Sequence, residues 1–340
     1  MSLESKGEGL TAVLLLNLGG PDSLNAVRPF LFNLFSDKEI IRLPFQPILA
    51  RFISARRAKK VISRYAQIGG KSPLLDLTNG QAQALEKELN SRSKTDSKGP
   101  GFKVYVGMRY WHPFIEETVE QIQKDGIKKV VALSLFPHYS RATTGSCFKE
   151  LKRVLKRNPN LEVVYVDHWF DNPTYLDTLA QKINETLAEF PAKNRKRIQI
   201  VFTAHSLPQD FIDQGDPYLD HLKRTIEGLR ERLRKISWHL AFQSRSGPVK
   251  WMKPSTEKVL ENLAHDGYRE ILMVPISFVS DHVETLYEID IMYRDLAESK
   301  GIVIFKRSPS LNSSPKFIEA LAEIVEKALN SSKGLRVKSA

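Results

Sequence analysis

Cysteine is nearly missing from this chain of 340 residues, because Cys147 is the only one. A single cysteine excludes an intramolecular disulfide, and it excludes a four-cysteine zinc or iron–sulfur site built from this chain alone. Long apolar runs are missing too: uninterrupted ones such as residues 12–16 are far shorter than the roughly 20 residues of a membrane-spanning helix. The sequence therefore predicts that any metal uses other ligands and that no segment crosses a membrane.

An export signal is also missing. Residues 1–10 are polar and carry no basic region followed by an apolar core, which is the pattern of a secretory signal. The scarcity of cysteine likewise favours a reducing compartment. We expect a cytoplasmic protein, and a peripheral position on the inner membrane stays open.

Acidic residues are outnumbered, with 51 Lys and Arg against 39 Asp and Glu and a formal net charge of +12. This excess suits nucleic acid, an anionic membrane or anionic small molecules. The basic residues are dispersed, however, and the chain has neither zinc-finger spacing nor the stacking motif of an RNA-binding sheet. We expect no nucleic-acid partner, whereas lipid headgroups and anionic small molecules remain candidate ligands.

What the chain does have is a regular alternation of short apolar runs with longer amphipathic stretches, and 41% of its residues are hydrophobic. The runs are residues 11–16, 103–106, 130–136, 163–166, 198–202, 239–242, 271–276 and 302–305. This alternation predicts an α/β fold with parallel sheets, helices on the faces of the sheets and right-handed crossovers. Eight strands would also suit a closed barrel.

An internal repeat favours one of these architectures. Two pairs of segments correspond, residues 12–21 with 199–208 and residues 118–139 with 256–280. Leu18 then stands opposite His205. We therefore favour two similar Rossmann-like domains, each a doubly wound parallel sheet with a cleft between the two, over one barrel. The predicted limits are 10–170 and 171–330, with a crossover near 165–180 and a last helix that could pack back on the first domain.

Residues 278–290 crowd acidic side chains and one histidine behind an apolar run. If a helix begins near Ser280, then Asp281, Glu284 and Glu288 share one face at helical spacing. Carboxylates that repel one another need solvent, a cation or a shared proton. This face is therefore either a wetted surface or a route for cations.

A histidine follows another predicted strand, since His205 lies just after the apolar residues 198–202. Open parallel sheets bind ligands beyond the carboxyl ends of their strands. We therefore expect His205 and a carboxylate of residues 278–290 to face one crevice.

Residues 30–53 are rich in aromatic and aliphatic side chains, and a basic cluster follows at Arg56, Arg57, Lys59 and Lys60. Apolar side chains beside a basic cluster suit a mobile lip that meets an apolar acidic ligand or a membrane interface. A buried helical hairpin is the alternative interpretation.

Seven motifs, taken in order, resemble the ferrochelatases, the enzymes that insert ferrous iron into a porphyrin at the end of haem synthesis. They lie at residues 16–22, 64–73, 107–113, 137–140, 204–208, 243–248 and 280–287, within a likeness that spans about residues 14–321. No single motif is decisive, but their shared order and similar separations leave little room for coincidence. The resemblance implies two Rossmann-like domains with the porphyrin held in the cleft between them.

The resemblance also implies roles for individual residues. It makes His205 the proton acceptor on one face of the macrocycle, and it makes Glu284, with His282 nearby, the route for metal or protons. Fe(II) accepts imidazole nitrogen and carboxylate oxygen together, so the implied metal set is His205, Glu284, Glu288 and Asp281. Which of His205 and Glu284 takes the proton and which delivers the iron stays open.

Further residues carry over from the porphyrin cavity of the family. The implied walls are Leu18, Tyr110, Tyr139 and Trp251, and the implied propionate partners are Arg57, Ser72 and Ser244, with Arg56, Lys60 and Arg109 close behind. The family is also expected to bend the macrocycle, because a planar ring hides its nitrogen lone pairs.

The chain departs from the mitochondrial relatives in two places. Residues 336–340 hold no cysteine cluster, so we expect no [2Fe-2S] cluster and no cofactor beyond the substrate Fe(II). Met292 stands where the acidic ladder would continue, which leaves the outer metal path open.

The substrate is predicted from residues 18–21, Leu-Gly-Gly-Pro, which resemble the protoporphyrin type and point to protoporphyrin IX. Three alternatives remain: a coproporphyrin enzyme, a sirohydrochlorin chelatase for iron, cobalt or nickel, and a porphyrin or haem carrier without turnover.

Overall fold

The computed structural model describes residues 9–95, 101–192, 197–233 and 237–332. In these ranges eight parallel strands form two four-stranded sheets, ordered β2-β1-β3-β4 and β6-β5-β7-β8. The strands are β1 (Leu10–Asn17), β2 (Gly101–Met108), β3 (Lys129–Ser134), β4 (Glu162–Val166), β5 (Gln199–His205), β6 (Ser237–Gln243), β7 (Glu270–Pro275) and β8 (Ile304–Arg307). Residues 336–340, where the missing cysteine cluster was noted, lie outside the described ranges.

Helices cover both sheets. They are α1 (Val27–Ser36), α2 (Gln46–Ala66), α3 (Leu74–Thr95), α4 (Ile115–Lys124), α5 (Ser146–Leu155), α6 (Pro173–Ala188), α7 (Gln209–Asp213), α8 (Tyr218–Arg232), α9 (Thr256–His265), α10 (Arg294–Ser299) and α11 (Pro315–Ser332). A short π-helix (Arg141–Gly145) precedes α5, and a long π-helix (Glu284–Tyr293) precedes α10. Within the described ranges, none of these helices has the length and apolar character needed to cross a membrane.

The eight predicted apolar runs are confirmed as the eight strands of the described ranges. Central strands such as β1 and β7 are buried along almost their whole length, because helices cover both faces of each parallel sheet. The last strand begins two residues later than predicted. Ile302 is buried in the turn after α10, where its amide bonds to Ala297, so pairing with β7 starts at Ile304.

The predicted repeat is also confirmed. Each sheet places its first strand between its second and third, and its fourth strand lies at the edge beside the third. The carbonyl of Leu16 accepts from the amide of Leu135 at 3.0 Å, and the carbonyl of Thr203 accepts from the amide of Ile276 at 3.0 Å. Leu18 and His205 therefore occupy equivalent positions, and the protein has two open sheets in two similar domains instead of a barrel.

The crossover between the sheets is made by α6, which packs on α8 and on β7. The last helix, α11, packs against α3, α6 and the first sheet. An ion pair between Arg92 and Glu326, with 3.2 Å between Nη1 and Oε2, ties α3 to α11. The C-terminal helix thus contacts the first domain, and the limits 10–170 and 171–330 stay a prediction.

The segment 30–53 forms most of a helical hairpin of α1 and α2. Its inner face buries residues such as Leu31, Phe35 and Ala50 against one another. Its tip is apolar and open to solvent: Phe45 is 80% exposed, Ile48 70% and Phe52 63%. The helical hairpin is therefore confirmed with one buried face and an exposed apolar tip, and the mobile lip stays a prediction.

A carboxylate holds this hairpin on the first sheet. Asp37, just after α1, accepts hydrogen bonds from the Arg109 guanidinium at 2.9 Å, from the Tyr110 hydroxyl at 2.8 Å and from the Ser146 hydroxyl. Burial alone would raise the pKa of Asp37, but these donors and the charge of Arg109 hold it below its ordinary value. The carboxylate is therefore ionised and fixes the end of α1 to β2 and α5.

A close approach beside the first strand gives a stability prediction. A Cβ on Gly20 would lie 2.5 Å from Oγ and 2.6 Å from Cβ of Ser72, and Ser72 is itself buried. We expect Gly20→Ala to lower the free energy of unfolding by about 1–3 kcal/mol through overpacking, measured by urea denaturation. Gly80→Ala in α3 is the control, since its Cβ would meet only the Ser313 hydroxyl at 3.1 Å. Equal stability of the two variants would contradict this account.

Candidate active site

The candidate site lies where the second sheet reverses its strand order. His205 is the last residue of β5, and Ser277 follows the neighbouring strand β7. The amide of His205 donates to the Ser277 hydroxyl at 3.1 Å, and the Tyr218 hydroxyl donates to the His205 carbonyl at 3.1 Å. Parallel strands on either side of a switch point leave a crevice at their carboxyl ends. The backbone of the histidine is fixed there on two sides.

The imidazole of His205 contacts a carboxylate of the long π-helix. Its Nδ1 lies 2.8 Å from Oε2 of Glu284, the first residue of that helix. The Ser244 hydroxyl, just after β6, donates to the same oxygen at 2.8 Å. The His205 side chain is 38% exposed and that of Glu284 is 18% exposed. The structure thus brings the two strand ends together as expected, with the histidine facing outward.

A second carboxylate continues this arrangement. Glu288 lies four residues further along the π-helix, where its Oε2 is within hydrogen-bond distance of the Ser244 hydroxyl and accepts from the side-chain amide of Gln243 at 3.4 Å. Its other oxygen, Oε1, lies 3.2 Å from Nη1 of Arg64 in α2. Ser244 therefore links Glu284 to Glu288, and Arg64 joins them to the first domain.

The prediction that Asp281 shares this face is wrong. The π-helix begins at Glu284 instead of near Ser280, so Asp281 precedes it. Its carboxylate accepts from Arg307 at 2.9 Å, from Ser310 at 2.8 Å and from Asn312 at 2.9 Å. Burial would raise the pKa of Asp281, but Arg307 and these hydrogen bonds lower it. Asp281 therefore anchors the segment before the π-helix and does not join Glu284 and Glu288 on one face.

The predicted set of four metal ligands is therefore not assembled. In the portion of the chain that the structure describes, no three His, Cys, Asp or Glu side chains are placed to hold one metal ion. What the structure does bring together is the pair His205 and Glu284, with Glu288 one turn away.

His282 lies beside this pair. Its Nδ1 is 3.2 Å from the Ser280 carbonyl, its Nε2 is 4.0 Å from Oε1 of Glu284, and its ring meets Phe278 edge-on at 4.2 Å. Burial lowers the pKa of His282 despite the nearby carboxylates. The imidazole is therefore neutral and presents its second nitrogen toward Glu284.

The charges of the site oppose one another. Burial alone would lower the pKa of His205, but Glu284 raises it above its ordinary value. Burial would raise the pKa of Glu284, but His205 holds it below its ordinary value. Burial and the charge of Glu284 raise the pKa of Glu288. The arrangement therefore pairs a cationic imidazole with one carboxylate and leaves the second carboxylate readily protonated.

Three of the implied cavity residues are open to solvent in part. Leu18, Tyr139 and Trp251 are each partly exposed, and the Trp251 indole lies 3.4 Å from the carbonyl of Gly247. Arg57 on α2 approaches that loop from the other domain, since a Cβ on Gly247 would lie 3.9 Å from Nη2 of Arg57. Arg56 and Lys60 are exposed on α2. The loop after β6 and the hairpin therefore face each other across the cleft.

One implied wall residue is corrected by the structure, and three implied propionate partners make contacts within the protein. Tyr110 is fully buried and donates to Asp37, so it lines no cavity. Arg109 is paired with the same carboxylate and borders a separate surface cavity of about 510 Å³. Ser72 is buried against the backbone of Gly20, and its hydroxyl accepts from the amide of Leu74. Ser244 is engaged by Glu284 and Glu288.

Sequence reasoning did not single out Gln243, Ser277, Tyr218 or Arg64. Gln243 and Arg64 stand in the motifs 243–248 and 64–73, so a signal was present, but neither has a reactive side chain. Ser277 and Tyr218 act through backbone contacts with His205 that only the folded chain creates.

Comparisons with known proteins bear on this site and fold. The sequence profile of the Ferrochelatase family matches residues 10–329. A ferrochelatase of Geotalea daltonii is 56% identical over 93% of this chain and 97% of its own length. A ferrochelatase of Synechocystis sp. is 48% identical over 95% of this chain and 83% of its own length.

Solved structures share the fold. SirB from Bacillus subtilis with Fe3+ superimposes with a TM-score of 0.55 at 14% identity, covering 95% of this chain and 97% of that chain. The paired sheets, the profile match over most of the sequence and relatives of high identity agree, and the chain belongs to the ferrochelatase family.

Proposed function

We propose that the protein inserts Fe(II) into protoporphyrin IX, giving protohaem and two protons, as the final step of haem synthesis. The observation that carries this proposal is the contact between His205 and Glu284, 2.8 Å apart, at the switch point of the second sheet. Iron is the substrate here and no resident cofactor is proposed, because one cysteine cannot hold an iron–sulfur cluster.

His205 is proposed to accept a pyrrole proton. A free-base porphyrin must lose two protons as the metal enters, and His205 can accept one of them in its neutral form, which is populated as pH rises through its raised pKa. The carboxylate of Glu284 stabilises the imidazolium that results and orients the ring through Nδ1. The Nε2 atom is then the one available to the macrocycle.

The two glutamates are proposed to lead protons or metal to the same place. Glu284 and Glu288 share the Ser244 hydroxyl, so an ion or proton can pass between them over one side chain. Fe(II) tolerates carboxylate oxygen and imidazole nitrogen together. Transient ligands suffice for a metal that leaves with the product.

The porphyrin is proposed to lie between Leu18, Tyr139 and Trp251, with its propionates toward α2. Arg57 supports this placement, since its guanidinium is half-buried and no carboxylate of the described residues pairs with it. Burial and the neighbouring charge of Arg64 lower the pKa of Arg57. An unmatched buried cation attracts an anionic group strongly.

The hairpin tip is proposed to touch a membrane surface peripherally. Phe45, Ile48 and Phe52 form a free apolar edge, and Arg56 and Lys60 are exposed further along the same helix. Apolar side chains beside basic ones bind anionic bilayers. A surface of this kind would deliver an apolar porphyrin directly to the cleft.

Anaerobic insertion assays followed by absorbance test the proposed reaction. Fe(II) should enter protoporphyrin IX faster than coproporphyrin, and sirohydrochlorin should not be turned over. Turnover of sirohydrochlorin alone would reject protoporphyrin, and porphyrin binding without any insertion would identify a carrier.

Replacing the proposed base gives a sharper prediction. His205→Ala should lower kcat by at least about 100-fold, because general-base catalysis is lost. The Kd for protoporphyrin, measured by fluorescence quenching, should stay within about tenfold. His265→Ala, at an exposed position of the same domain, is the control and should be fully active. Unchanged turnover in His205→Ala would remove this histidine from the mechanism.

The ion pair also sets a pH dependence. Because Glu284 raises the pKa of His205, the neutral imidazole is populated only as pH rises through that raised value. We therefore expect kcat/KM to increase with pH above about 6.5, the ordinary histidine value. In Glu284→Gln the larger of the two carboxylate effects on His205 is lost while burial remains, so NMR titration of the porphyrin-free variant should show a lower His205 pKa than in the unmodified protein.

Glu257→Gln provides the control for that titration, since Glu257 lies in the same domain and pairs with Arg245. Its His205 titration should match that of the unmodified protein. An unshifted pKa in Glu284→Gln would mean that the carboxylate does not tune the histidine.

The membrane proposal predicts that charged side chains at the hairpin tip weaken liposome binding. Phe45→Asp, Ile48→Asp and Phe52→Asp combined should lower binding to anionic liposomes at least about tenfold in sedimentation assays, because buried apolar area is lost. Val303→Asp is the matched control, since Val303 is 76% exposed but lies in the second domain. Full liposome binding by the triple variant would reject the proposal.

A further inference from the structure

An arginine forms an ion pair with the outer glutamate, Glu288. Arg64 belongs to α2 of the first domain, and its Nη1 lies 3.2 Å from Oε1 of Glu288 in the second domain. The Glu288 side chain is 6% exposed and that of Arg64 is 26% exposed. The ion pair therefore spans the cleft and is largely removed from water.

The guanidinium is held by few contacts. It lies over the ring of Tyr287, 5.4 Å from the centroid, and its Nε is buried without a hydrogen-bond partner. A bidentate pair would use two nitrogens on one carboxylate, whereas Arg64 contacts Glu288 through Nη1 alone. Arg64 is thus attached by one charged contact and a cation–π contact, and it can be released without dismantling a network.

The acceptor oxygens continue inward from this arginine. Glu288 shares the Ser244 hydroxyl with Glu284, and Glu284 contacts His205. The positive charge of Arg64 therefore lies at the outer end of a run that finishes at the proposed base. A guanidinium has no lone pair with which to bind a metal. Arg64 therefore opposes a cation at Glu288 instead of becoming one of its ligands.

We propose that Arg64 is the resident counter-cation of Glu288 and that an incoming divalent cation displaces it. Neighbouring buried carboxylates require a compensating positive charge, and Arg64 supplies one until the metal arrives. Displacement exchanges one cation for another, so the glutamates are never left uncompensated. This inference rests on the proposed insertion of iron.

The test compares steady-state constants for Arg64→Gln. Glutamine cannot compete electrostatically with the metal, so the KM for Fe(II) should fall about fivefold, while the KM for protoporphyrin should stay within about twofold. Arg64→Lys keeps the charge and should return the KM for Fe(II) toward the original value. A loosened fold would raise both KM values and would not be rescued by lysine.

Arg92→Gln is the matched control, because Arg92 joins α3 to α11 at the same 3.2 Å and is 28% exposed. It should leave both KM values unchanged. An unchanged or higher KM for Fe(II) in Arg64→Gln, with insertion intact, would overturn the displacement. Absence of insertion in the unmodified protein would instead reject the proposed function, so the two failures are told apart.

Discussion

The contact between His205 and Glu284 is the constraint on which the rest of the site depends. It requires β5 to end beside β7 and the π-helix to begin at one definite residue, so that two side chains 79 positions apart meet at 2.8 Å. Ser277, Tyr218 and Ser244 each fix one partner of this pair. The fold therefore supplies a preorganised acid–base pair before any ligand arrives.

The two halves of the repeat differ in the side chains that they place at equivalent positions. Leu18, just after β1, and His205, the last residue of β5, occupy equivalent positions, yet one is apolar and the other titrates. The first domain instead contributes the hairpin of α1 and α2 and an apolar wall. The two similar sheets therefore border the cleft with unlike sides: the first domain presents apolar side chains and the second presents titratable ones.

Local pattern could predict the strands and the convergence of His205 with an acidic segment, because apolar runs and the rule of strand ends act over short distances. It could not predict where the π-helix starts, since that depends on Arg307, 26 residues from Asp281. Tyr110 was misplaced for a similar reason: its partner Asp37 is 73 residues away. Contacts between distant segments decide which polar side chains face the cleft.

One helix connects the surface to the reacting groups. Ile48 lies at the exposed end of α2 and Arg64 near its other end, so about 24 Å of continuous helix separates the apolar tip from Glu288. Arg57 stands between them, facing the loop that carries Trp251. A helix is stiff over this length, so a shift of the tip also moves Arg57 and Arg64. The proposed surface binding, the proposed propionate contact and the proposed displacement of Arg64 from Glu288 therefore all involve one element, α2.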